Sequence, residues 1–126
     1  MSESKFELGP IQKQWIASLR ANPDRQLNNQ LGRRTPDGSY TACCLGELGL
    51  IAGLCEWDRA ILIVKGTTFM GFLNAVYVQV GLRSEKGHPR DARFAILSVM
   101  NDRLNTWPEI ADIVEANPEQ YFTISI

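Results

Sequence analysis

The sequence has no run of about eighteen apolar residues, so no membrane-crossing helix is expected from it. Its longest apolar stretch, Leu45–Cys55, is broken by Glu47 and by Gly46, Gly49 and Gly53. An excess of charge of either sign is missing too, since 13 basic side chains stand against 14 acidic ones. A dedicated nucleic-acid surface normally carries a basic excess, so that balance argues against one. The opening segment, Met1–Glu7, lacks the apolar centre of a secretory signal. Cysteine is scarce: Cys43 and Cys44 are adjacent, and Cys55 completes a set of 3. That spacing fits neither a disulfide framework nor the paired ligands of a zinc site. Gly46-Glu-Leu-Gly49 matches neither the dinucleotide-binding nor the P-loop spacing. These absences together predict a cytoplasmic protein with no membrane partner, no metal and no cofactor.

What is present is an ordinary globular composition. Apolar residues make up 44% and charged residues 21% of 126 positions, which suits one domain over residues 1–126 with a buried core. Gly9-Pro10 opens a first helix, in which Ile11, Trp15, Ile16 and Leu19 recur at helical spacing. Asn22-Pro23 ends it, because proline disfavours helical geometry in the residue before it. Leu31–Cys43 is expected to be a β-hairpin, turned by Thr35-Pro36-Asp37-Gly38. Tyr40 and Ala42 share one face of its second strand.

A second helix is expected over Cys44–Cys55, with Leu45, Leu48, Ala52 and Cys55 in an apolar stripe. The glycines beside that stripe imply a backbone packed very close to it. Glu56-Trp57-Asp58 is a polar break, and Ala60–Lys65 a candidate buried strand. Phe69–Val80 fits a helix better than a strand, and its apolar residues on more than one face allow a homodimer contact. A further helix runs from Asp91 to about Asn101. Thr106-Trp-Pro-Glu109 is a capping box for a helix over Trp107–Ala116, with Ile110, Ala111, Ile113 and Val114 inward. Phe122–Ile126 is a candidate terminal strand. The fold class is therefore α+β, helix-rich: a hairpin or short sheet packed against about four helices.

Three segments carry a resemblance: Gln14-Trp-Ile-Ala-Ser-Leu-Arg20, Tyr40-Thr-Ala-Cys-Cys-Leu-Gly-Glu-Leu48, and Met100–Glu115 with its Asn-Asp and Glu-Ile-Ala-Asp elements. In that order they resemble a family of small uncharacterised bacteriophage and prophage proteins with a Cys-Cys-Leu-Gly motif. The resemblance implies a phage setting inside a bacterial cell and no particular chemistry.

Cys43-Cys44 is the sharpest chemical feature. A helix N-terminus favours thiolate, so either thiol is a candidate nucleophile, with His88 as the sole histidine available as a base. The competing interpretation is two small apolar groups filling a tight corner. Arg33, Arg34, Arg83, Arg90 and Arg93 are candidate binders of a small anionic ligand such as a signalling nucleotide, or of an acidic protein. Trp57, flanked by two acids, is expected to be exposed and available to a partner. Asn101 and Asp102 are either a helix-end structural pair or a polar part of a site. The helix over Trp107–Ala116 holds Glu109, Asp112 and Glu115 and no arginine or lysine, the wrong charge for a DNA-reading helix. A non-enzymatic phage accessory protein that binds a host protein, including a defence component, is the favoured expectation. An anionic-ligand binder and a cysteine enzyme are the alternatives.

Overall fold

The computed structural model of the chain describes residues 6–28, 30–65, 81–82, 97 and 99–126. The expected Phe69–Val80 helix, the homodimer contact argued from it, the Arg83–Arg93 segment and nearly all of the helix from Asp91 lie outside the described residues.

The first helix, α1, spans Pro10–Ala21 and buries Gln12, Trp15, Ile16 and Leu19. Gly9 N–H donates to Gln12 Oε1 at 2.9 Å, and Asn22 Nδ2 donates to the Ser18 carbonyl at 3.0 Å, so both ends are closed locally. A single 3₁₀ turn follows at Pro23–Arg25.

Strands β1 (Gly32–Arg34) and β2 (Tyr40–Ala42) form the expected hairpin, with Gly32 opposite Ala42 and Arg34 opposite Tyr40. Its turn is over-determined. Gly38 takes φ 93°, and its N–H donates to the Thr35 carbonyl at 3.0 Å. Asp37 accepts from the hydroxyl and N–H of Ser39 and from the Thr35 hydroxyl, which hold its carboxyl down at about 2.

Helix α2 spans Cys44–Ala52. It ends three residues short of the expected Cys55, because Gly53 adopts φ 79° and caps it in the left-handed region. The chain then turns into β3 (Cys55–Asp58), which pairs with β4 (Ile61–Val64). The segment expected to be a polar break is therefore an antiparallel strand. Its side chains alternate, with Cys55 buried and Glu56 exposed, then Trp57 half-buried and Asp58 exposed. A four-residue strand is too short to announce that period in sequence.

The four strands lie in the order β2-β1-β4-β3, all antiparallel, joined at the centre by Arg33 opposite Ile61. Side chains directly opposite one another share a face. One face thus carries Gly32, Ala42, Cys55, Leu62 and Val64 into the core, and the other carries Arg33, Ile61, Glu56 and Asp58 outward.

A π turn at Met100–Leu104 leads to α3 (Trp107–Ala116) and the short α4 (Pro118–Tyr121). The capping box of α3 is present, with Thr106 N–H donating to Glu109 Oε1 at 2.8 Å. Ile110, Ala111 and Val114 are buried as expected, and Ile113 is only half-buried. The expected Phe122–Ile126 strand reduces to one bridge, Phe122 with Leu82. Backbone bonds spent elsewhere explain this: the Ile126 oxygen accepts from Ile11 and Gln12, and the Ile124 carbonyl accepts from Gln12 Nε2.

The core lies where α1 packs on α2 and α3 and where α2 packs on the sheet, around Trp15, Leu19, Leu45, Leu48, Trp107 and Phe122. Trp15 and Phe122 meet edge to face at 6.0 Å. The described residues thus form a helix-rich α+β fold. Among them, no helix is long and apolar enough to cross a membrane.

Candidate functional site

Cys43 and Cys44 sit at the junction of β2 and α2, as expected, but in the centre of the molecule. Cys43 Sγ accepts from Gly46 N–H at 3.3 Å and serves as the helix cap. Burial outweighs the helix terminus and pushes the Cys43 thiol up to about 11. The Cys44 thiol is also raised, first by burial. The expectation of a lowered thiol pKa is thereby reversed: at Cys43 the terminus supplies only the N–H groups of Gly46 and Leu45, whereas desolvation acts on the whole sulfur. Cys44 Sγ lies 3.7 Å from the Leu97 carbonyl, and the Cys44 carbonyl accepts from Trp15 Nε1 at 2.7 Å. Both residues work as packing and bonding pieces of a crowded corner. His88 lies outside the described residues.

Asn101 closes the same corner. Its Oδ1 accepts from Cys44 N–H and from Trp107 Nε1, each at 2.9 Å. Its Nδ2 donates to the Leu27 carbonyl at 2.8 Å and to Asp102 Oδ1 at 3.1 Å. With four bonds made and 2% exposure, its amide has no donor or acceptor turned to solvent. Asp102 is half-buried beside it and helps line an open groove of about 500 Å³ with Arg103, Asn105, Thr106 and Glu109.

A second polar cluster was not singled out from sequence. Glu47, in the first turn of α2, is 2% exposed. Tyr40 OH donates to its Oε1 at 2.6 Å, and the Ser18 hydroxyl donates to its Oε2. Arg25 Nη1 lies 3.8 Å from Oε2 and donates to Tyr40 OH at 3.2 Å. Burial, then the bond to Glu47, pushes the Tyr40 phenol up to about 12. The sequence signal was a single carboxylate within the otherwise apolar Cys44–Ala52 helix, which burial obliges to find partners.

From this anchored tyrosine a line of side chains runs along the open end of the inner sheet face. The Arg25 guanidinium sits over the Tyr40 ring at 4.7 Å. Tyr40 meets Trp57 edge-on at 5.6 Å, and the Arg34 guanidinium covers Trp57 at 5.4 Å. Trp57, expected to be exposed, is therefore half-buried, because the strand register sets it beside Leu62 and Tyr40 rather than in a loop.

The two adjacent arginines part company. Arg34 belongs to this rim, and Arg33 points from the opposite face, so the pair does not form one site. Arg59, which sequence analysis passed over, comes beside Arg34 at the β3–β4 turn, where Arg34 Nε donates to the Arg59 carbonyl at 2.8 Å. Asp58 is the only turn-favouring residue in Asp58-Arg-Ala-Ile61, and without a glycine, proline or asparagine beside it the turn carried little signal. Arg83, Arg90 and Arg93 lie outside the described residues. Among the described residues, no group of three or more potential metal ligands occurs.

Comparison with family models, with curated proteins and with solved structures finds no match to this chain.

Proposed function

We propose that the protein acts by binding another protein, without chemistry of its own, and that the Arg25–Tyr40–Trp57–Arg34 rim is the contact surface. The observation that carries this is the stacked line of two cations and two aromatics at the edge of the core. Tryptophan, tyrosine and arginine are the residue types that dominate binding energy at protein interfaces. Here they are already ordered. Glu47 holds Tyr40, the stack holds Trp57 and Arg34, and little side-chain freedom remains to be lost on association. The buried, high-pKa thiols supply no counterpart on the catalytic side.

The resemblance to phage and prophage proteins supports a host protein as the partner, including a component of antiviral defence, in the bacterial cytoplasm. The test is affinity capture from host cells with the wild type and with Trp57→Ala, each verified as folded by circular dichroism. A specific partner is expected with the wild type. Trp57→Ala should weaken its binding by about 2 kcal/mol, or roughly thirtyfold. A partner held equally by both proteins, or no partner at all, refutes the proposal.

A further inference from the structure

Beyond the end of the rim, the β1–β2 turn and the β3–β4 turn enclose an open hollow of about 370 Å³, lined by Arg34, Thr35, Pro36, Gly38, Arg59 and Ala60. Two of those six residues are cations, and none is an acid. The single carboxylate of the neighbouring turn, Asp37, is occupied by Ser39 and Thr35. Among the described residues, no carboxylate forms an ion pair with Arg34 or Arg59.

The arginines are also arranged. Arg34 is held in two ways, by its Nε bond to the Arg59 carbonyl and by its stack on Trp57, so its guanidinium plane is set. Arg59 is the one described non-glycine residue with positive φ, at 60°. A two-residue hairpin turn ordinarily places glycine, asparagine or aspartate in that region, where they adopt it with less strain. A long β-carbon-bearing side chain kept at a strained turn position, facing a hollow it shares with a second arginine, is a reason to look for a ligand there.

We infer that this hollow is an oxyanion subsite, in which Arg34 and Arg59 together hold a phosphoryl or carboxylate group. Guanidinium forks match the oxygen spacing of both groups, and an arginine whose orientation is preset loses less freedom on binding. The subsite takes its location from the proposed binding rim but is tested without any protein partner. Loss of partner capture in Trp57→Ala together with a flat anion titration would leave the rim standing and sink the subsite alone.

The experiment is a ¹H–¹⁵N titration of the whole chain with sodium phosphate and, separately, sodium acetate, at ionic strength held constant with sodium chloride. Saturable shifts confined to residues 34–38 and 59–60 are expected with at least one anion. Saturation by phosphate alone identifies a phosphoryl site, and saturation by acetate identifies a carboxylate site. Arg59→Gly should weaken binding at least tenfold while its thermal midpoint stays level or rises, since glycine relieves the positive φ. Arg33→Ala, on the other face of the sheet, should bind like the wild type. The inference is overturned by the absence of saturable shifts with both anions, by undiminished binding in Arg59→Gly, or by equal weakening in Arg33→Ala.

Discussion

Asn101 shows how much of this molecule depends on single polar side chains. Its amide satisfies the N–H of Cys44, the indole of Trp107 and the carbonyl of Leu27. Alanine at this position would strand three groups, each of which costs about 1–3 kcal/mol when buried without a partner. Asn101→Ala is therefore expected to lower the unfolding free energy by about 3–5 kcal/mol in urea denaturation. A side chain kept for a ligand would leave stability unchanged, so the measurement separates the two roles. Glu47 is a comparable case with a different outcome. It accepts from Tyr40 and Ser18 and pairs with Arg25, all three partly exposed, so its burial organises a surface rather than the core alone.

At the scale of elements, the glycines of α2 do two different jobs. Gly46 lets the helix lie against the Leu31 backbone, where a β-carbon would come within 2.0 Å of the Leu31 carbonyl oxygen. Backbone cannot swing aside as a flexible side chain can, so Gly46→Ala should cost about 3 kcal/mol or more. Gly53 has open space around it and is needed only for φ 79°. Gly53→Ala should cost about 1 kcal/mol. Thermal or urea unfolding of the two variants side by side gives the comparison, and equal losses would refute the assignment. The expected close-packed glycine stripe thus holds at Gly46, whereas Gly53 marks where the helix stops.

For the molecule as a whole, burial of acidic protons predicts an alkaline limit. The Cys43 thiol is displaced upward from 9.0 to about 11 by burial, Cys44 moves the same way, and the Tyr40 phenol rises from 10.0 to about 12. In each case the unfolded chain releases its proton at lower pH than the folded one. Stability from these groups is fully present below about pH 9 and is lost as pH climbs through the folded values toward about 12. The thermal midpoint should be level from pH 7 to about 8.5 and fall steeply beyond about pH 9. Cys43→Ser, which keeps a side-chain cap but removes one titrating thiol, should flatten part of that fall. A midpoint that stays level to pH 11 would show that these protons are not held by the fold.

The sequence alone determined the features settled within a few residues: the Pro36-Asp37-Gly38 turn, the Thr106–Glu109 capping box, the Asn22-Pro23 stop and the α+β class. Their bonds join neighbours, so local residue types suffice to choose them. Only the tertiary structure decided that Arg33 and Arg34 serve opposite faces, that Glu56–Asp58 is a strand, that the cysteine pair is desolvated and that Arg59 stands beside Arg34. The strand pairs locally with Ile61–Val64 and was hidden by its shortness, whereas the others depend on groups brought from farther along the chain, as when Ser18 reaches Glu47 across 29 positions and Asn101 reaches Cys44 across 57. Desolvation and pairing are properties of what surrounds a side chain, and those surroundings exist only once the chain has folded.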